Sequence, residues 1–223
     1  FKRPDISFTL NSINYREGAY LSNKEKRLVE EKSQEAISSY LELEVLTKEE
    51  TAFTNPLEDL VVKNRHDAEK AAKQLRKKWK LGDGPISNIS NFLEKKGVRV
   101  IRLDFGFNFN HEGLSGWAED RAIPVIVLNM RSQDITRIRF TMLHELGHLL
   151  LEIPSDVDIQ NIERICDSFA STVLLPSEIL IEEFGRNRKA ISLEELRRIK
   201  ALYGISITAI MVRARFAGLI DLE

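Results

Sequence analysis

The sequence predicts an α+β fold: a small, mostly antiparallel sheet followed by two amphipathic helices, with further helices flanking both ends. Three observations carry that class. Val98 to Asp104, Leu114 to Glu119 and Pro124 to Asn129 read as strands. Thr136 to Leu151 and about Ile159 to Leu174 hold apolar residues at helical spacing, with Ile138, Met142, Leu146 and Leu149 or Leu150 along one face of the first. Charged amphipathic stretches stand on either side, Ser22 to Leu46 before and Ser192 to Ala217 after.

In chain order, Phe1 to about Tyr20 lacks a helical period and carries Pro4, Asn11, Asn14 and Gly18, as a connecting arm would. Ser22, with Glu25 three residues on, is a capping-box start for a helix running to about Leu46. Its Leu28, Ala36, Ile37, Leu41 and Val45 fall near helical spacing, and it reads as a solvated or packing helix, a partner-binding surface being the alternative. Thr51 to Pro56 looks like a linker. Asp67 to Leu81 reads as a helix ended by Gly82-Asp83-Gly84-Pro85, and Ile86 to Lys96 as a short helix capped by Gly97. The three strands follow, the last two separated by the turn-like Asp120-Arg121-Ala122. Ser192, Glu195, Gly204 and Ser206 give the last helix pair good caps and a short turn. The domain organisation expected is an arm and linker helix over 1–55, a main domain over 56–190 and a C-terminal helix pair over 191–223.

A chain of 223 residues, 43% hydrophobic and 30% charged, can bury one substantial core. Lys and Arg number 33 against 34 Asp and Glu, so no strong net field draws it to nucleic acid or membranes. Any DNA role has to come from a local patch or a missing segment. The single cysteine, Cys166, excludes an intrachain disulfide framework and fits a reducing, cytoplasmic compartment. The apolar runs are too short to span a bilayer, and no signal-peptide pattern opens the chain. Because the chain starts at Phe1 rather than Met, it is expected to be part of something longer.

His144-Glu145-Leu146-Gly147-His148 lies inside the strongest helical segment. A spacing of four residues puts both imidazoles on one face, one above the other, so they can share a metal ion. Glu145 sits about 100° around the helix from His144. It therefore does not join the ligand pair, but is placed to be the general base toward a water at that ion. Glu163 follows His148 by fifteen residues on the next helix and offers a third ligand, with Asp167 one turn further along the same face. By themselves the two carboxylates would read as a solvated helix face. Two histidines and a glutamate leave a fourth position open, the arrangement of catalytic rather than structural zinc. Asp167 is then expected to accept a hydrogen bond from the far N–H of one histidine, fixing its tautomer. One zinc per chain is the expectation, another divalent ion staying open because availability partly governs such sites. An oxyanion partner is expected too; His111, Tyr203 and several arginines are candidates, and spacing selects none of them. His66, on a charged helix, reads as solvent-facing.

These residues resemble the ImmA/IrrE family of bacterial metallopeptidases. Arg139-Phe140-Thr141 leading into His144 to His148 is similar to that family's active-site helix. Glu163, Asp167, Phe169, Ala170, Leu174, Leu175 and Pro176 fall in its second signature. Gly82-Asp83-Gly84-Pro85-Ile86, Gly113 to Trp117 and Pro124 to Asn129 also look like the family's, so the likeness covers roughly Asp67 to Ser177. The resemblance implies a zincin-like metallopeptidase fold and a zinc-dependent endopeptidase. Its substrate would be a protein, a helix-turn-helix repressor or regulator, cut in a stress or mobile-element response. It also implies the ligand roles of His144, His148 and Glu163. Leu114, Ser115, Gly116 and Trp117 would form a strand that binds substrate by sheet addition, a core hairpin being an equal reading. Cys166 departs from the alanine usual there and is expected to pack rather than react.

The arm from Phe1 to Arg16 resembles the connector after an N-terminal helix-turn-helix domain. DNA contact is expected only through that missing domain, with no membrane partner and a homodimer open. Arg213 and Arg215 could make the last helix pair a DNA contact, but a packing role fits the neutral overall charge better. Two other functions stay open: a regulator that senses a metal or ligand without cutting, and a toxin–antitoxin or phage-regulatory module docking through the Ser22 helix.

Overall fold

The structure, a computed structural model, describes residues 8–10, 23–47, 51–106, 112–118, 122–130, 134–186 and 191–220. The elements run β1 (Phe8–Leu10), α1 (Asn23–Thr47), α2 (Arg65–Lys78), α3 (Ile89–Glu94), β2 (Arg99–Leu103), β3 (Gly113–Ala118), β4 (Ile123–Asn129), α4 (Ile135–Leu150), α5 (Ile159–Leu174), α6 (Ser177–Phe184), α7 (Leu193–Tyr203) and α8 (Ile207–Phe216). This is a mixed α+β fold, and none of the helices described is long and apolar enough to cross a membrane. The chain divides into two units, residues 1–55 with 88–133, and residues 56–87 with 134–223.

The first unit holds the sheet, in the order β1-β3-β4-β2. β3 pairs antiparallel with β1 and β4, while β4 and β2 run parallel. The sheet is therefore mostly antiparallel, as expected. β4 lies between β3 and β2 and is apolar and buried almost throughout. Val125 and Val127 of β4, Ile101 of β2 and Leu114 and Ala118 of β3 share a core with Val29, Ile37 and Leu41 of α1.

The buried stripe of α1 is Val29, Ser33, Ile37 and Leu41 at four-residue spacing. Ile37 and Leu41 lie in it as expected and Ala36 packs at its edge, whereas Leu28 and Val45, also expected within it, are exposed. Near its C-terminal end Glu44 Oε2 accepts hydrogen bonds from the Arg99 guanidinium at 2.9–3.0 Å. Arg99 also donates to the carbonyls of Thr51 and Gly97, so its buried charge is paired and bonded. Gly97, at φ +83°, admits no side chain, since a Cβ would stand 2.9 Å from Ala52 O. β1 lies in the arm where no strand was expected; three residues pairing with β3 carry too little pattern to be read locally. The Ser22 end of the capping box and Asp120-Arg121 lie outside the described residues.

In the second unit α5 is the central helix, packed against α2, α4 and α8. Two arginines tie loops to this bundle through backbone carbonyls. Arg76, buried on α2, donates to Gly82 O, Gly84 O and Val173 O, which closes the Gly82–Pro85 loop back on its helix. Arg139 on α4 donates to Ile86 O at 2.7 Å, Gly204 O and Tyr203 O. α7 begins with the capping box of Ser192 and Glu195 and ends at Gly204 in the left-handed region. α6 was not expected: it has eight residues, and Pro176 at its start makes no side-chain cap.

Candidate metal centre

α4 starts at Asp134, whose Oδ1 accepts from Thr136 N and Thr136 Oγ1 at 2.8 Å. From there one turn after another is apolar, and His144, Glu145 and Gly147 are buried with their leucine neighbours. α5 starts at Asp158, which caps Asn161 N at 2.9 Å, and presents Glu163, Cys166 and Asp167 at i, i+3 and i+4. The two helices meet at Gly147. A Cβ there would lie 3.3 Å from Cys166 Sγ and 3.3 Å from Phe169 Cδ1, so the absent side chain permits the close approach that carries Glu163 to the histidines.

His144 Nε2 and His148 Nε2 are 3.1 Å apart. The Glu163 carboxylate spans them, Oε2 at 3.2 Å from His144 Nε2 and Oε1 at 3.3 Å from His148 Nε2. Oε1 is buried and has no hydrogen-bond partner. Two ring nitrogens and an orphaned carboxylate oxygen thus converge on one point, and the three residues could hold a metal ion. The opposite ring nitrogens are engaged as well. Asp167 Oδ1 accepts from His144 Nδ1 at 2.8 Å, and Cys166 Sγ lies 3.5 Å from His148 Nδ1. Each histidine is thereby turned so that Nε2 faces the shared point.

Electrostatics follow the same geometry. Burial alone would lower the His144 pKa, but hydrogen bonds to Asp167 and Glu163 and the nearby Glu145 charge outweigh it and carry it up to about 10. Burial alone would raise Glu163, but the adjacent His144 and His148 imidazoles hold it down to about 2. Burial, helped by the Glu163, Glu145 and Asp167 charges, pushes the Cys166 thiol well above its ordinary range, so it stays neutral.

The second unit thus contains, on two packed helices, the complete His–His–Glu set and its supporting carboxylate. A family model described as the IrrE N-terminal-like domain, Peptidase_M78, matches residues 93–215, more than half of the chain. The chain belongs to this peptidase family. No curated protein matches it. Membership in the IrrE-like family carries a metallopeptidase-type function, and His144, His148 and Glu163 are where this member could hold the metal.

The remaining residues singled out in the sequence fall elsewhere in the IrrE-like chain. Leu114, Ser115, Gly116 and Trp117 lie in β3, and β1 pairs with Gly116 and Trp117 on the side away from β4. Trp117 packs edge-on against Phe53, ring centroids 5.7 Å apart. Tyr203 is buried, with Glu183, Arg76 and Asp83 as its charged neighbours, and His66 is exposed. His111 lies outside the described residues. The Cys166–His148 contact was not expected. Its only sequence signal is that Cys166 falls three residues after Glu163, on the same helix face.

Proposed function

We propose that the chain is a zinc-dependent endopeptidase that cuts a protein substrate. The observation that carries this is the triangle of His144 Nε2, His148 Nε2 and Glu163, with edges of 3.1–3.3 Å. Ligand atoms about 2.0 Å from a tetrahedral zinc stand about 3.3 Å from one another, and two nitrogens with one oxygen suit zinc. Three protein ligands leave a fourth position for reacting groups. A zinc ion held by His144, His148 and Glu163 would supply polarisation of the peptide carbonyl and would bring the pKa of a water to about 7.

The chain's own residues do the rest. Glu145, next in sequence to His144 and buried, accepts a proton from the water whose oxygen attacks the carbonyl carbon. It then passes the proton to the amine nitrogen as the C–N bond breaks. Asp167 holds the His144 ring in place throughout and offsets the positive charge gathered there.

The substrate we propose is a helix-turn-helix repressor or regulator, cut in a stress or mobile-element response; family resemblance supports that choice. Leu114, Ser115, Gly116 and Trp117 would take it up as an added strand, replacing β1 where β1 now pairs. The buried free thiol of Cys166 supports action in a reducing, cytoplasmic compartment.

The test is to incubate zinc-loaded chain with purified helix-turn-helix regulators encoded beside its gene and map products by mass spectrometry. A discrete cut made by the wild type and absent with Glu145→Gln supports the reading. Metal retention with no Glu145-dependent cut would assign the domain to regulators that sense without cutting.

A further inference from the structure

The outer face of α2 carries a row of cations that the metal centre does not use. His66, Lys70, Lys73 and Lys77 recur at spacings of four, three and four, which keeps them on one face. They span about 17 Å at 1.5 Å per residue, and all four are exposed. The row continues past both helix ends. Lys63 and His66 line a hollow of about 520 Å³ together with Arg65 and Arg164. Lys73 and Lys77 line another of about 570 Å³ with Lys80 and Arg76.

Little neutralises this row. Lys70 meets Asp67 at 3.5 Å and Lys73 meets Glu178, both pairs partly in solvent, where such contacts contribute little. Asp83 lines the second hollow. The ammonium groups of Lys63, Lys77 and Lys80 have no carboxylate partner among the described residues. With a net charge of −1 over the whole chain, the concentration of cations on α2 is local.

We propose that the outer face of α2 is a docking surface for the phosphate backbone of double-stranded nucleic acid, read without regard to sequence. The residue types favour this occupant over others. Protein interfaces are depleted in lysine and built around aromatic or apolar anchors, and this row has none. A membrane-surface helix needs an apolar face for the lipid. Here Ala68, Ala71, Ala72 and Leu75 are fully buried, and α2 packs on α5. Single strands are held by stacking bases on free aromatic rings; Trp79 at the end of α2 is buried, and the exposed ring of Phe216 near its start carries the Arg65 guanidinium 4.4 Å from its centroid. Duplex phosphates need only a line of cations, and lysine meets them as a point charge. Arg215 lies on α8 rather than on this row, and Arg213 does not supply the surface either. Arg213 is buried and bonded to Thr172, Ser177 and Glu69.

Fluorescence anisotropy of the chain with a labelled duplex two helical turns long tests the proposal, between about 50 and 200 mM salt. The logarithm of the affinity should fall against the logarithm of salt with a slope of about −4, roughly −0.9 for each phosphate neutralised. Combining Lys70→Gln, Lys73→Gln and Lys77→Gln should weaken binding at least tenfold and move the slope toward zero by about 3, with metal content and helical circular dichroism unchanged. Combining Arg197→Gln, Lys200→Gln and Arg215→Gln, which removes as many charges from α7 and α8, should leave most of the binding. No binding at the lowest salt, or equal losses from the two triple variants, would overturn the proposal. So would tighter capture of an oligoglutamate peptide, a matched single strand or phosphatidylserine vesicles through the same lysines.

Discussion

Asp167 Oδ1 lies 2.8 Å from His144 Nδ1, on the side of the ring opposite to Glu163. The contact forces His144 to present Nε2 to the point it shares with His148 and Glu163. Asp167→Ala should therefore lower metal affinity by about 10- to 100-fold while leaving the ligands in place. Competition with a calibrated chelator measures this. Asp167→Asn, which can still accept at Oδ1 but carries no charge, should fall between the two.

Glu145→Gln keeps the size of a side chain that is not among the converging ligands. It should retain wild-type metal content and lose about 10²- to 10⁴-fold in turnover, the usual range for a general base. Single-turnover cleavage of the regulator, quantified against metal content of the same sample, separates the two effects.

Gly147 governs how closely α4 and α5 approach. Alanine is the better helix former by about 1 kcal/mol, yet its Cβ would press on Cys166 and Phe169 at 3.3 Å. The separation of the helices must then grow by a few tenths of an ångström, which draws Glu163 from the histidines. Gly147→Ala should lower metal affinity several-fold with little change in thermal stability. Gly147→Val, which overpacks by more, should cost about 1–3 kcal/mol in urea denaturation.

The metal-free chain should show a specific pH profile. His144 is raised in the folded state from 6.5 to about 10, so its stabilisation is complete below pH 6.5 and is lost as pH rises through about 10. Glu163 is depressed from 4.5 to about 2, so its stabilisation is present above pH 4.5 and lost as pH falls through about 2. Urea midpoints of the metal-free chain should be highest between those limits and decline above pH 6.5. Metal binding at neutral pH should release about one proton, seen as a dependence of the calorimetric heat on the buffer's ionisation enthalpy.

Arg213 is a structural cation. Burial lowers its pKa to about 10 even with Glu69 and Glu178 nearby, and its Nε is buried without a partner. Arg213→Ala should destabilise the fold by about 3 kcal/mol, because Thr172 and Ser177 lose their partner and a cavity opens. Arg213→Met, which restores most of the volume, should recover part of that loss in the same denaturation series.

What could be read from the sequence was whatever depends on local spacing. α5 runs from Ile159 to Leu174, as the apolar period indicates, and α7 takes the capping box written in Ser192 and Glu195. His144 and His148 share a face because four residues make about one helical turn. Tertiary placement was not legible. β1 exists through its pairing with β3, and α6 lacks a capping side chain. That β2 and β4 run parallel depends on how the chain crosses over, not on either strand's pattern. The choice of His144 rather than His148 as the partner of Asp167, and the Cys166–His148 contact, follow from how α5 is rotated against α4.

Metal content by elemental analysis tests the central claim most directly, on wild type and His148→Ala purified without added metal. About one zinc per wild-type chain, lost in the variant, is the predicted result. Absence of a bound divalent ion from the wild type even after zinc is supplied, or equal zinc in both proteins, would contradict the account.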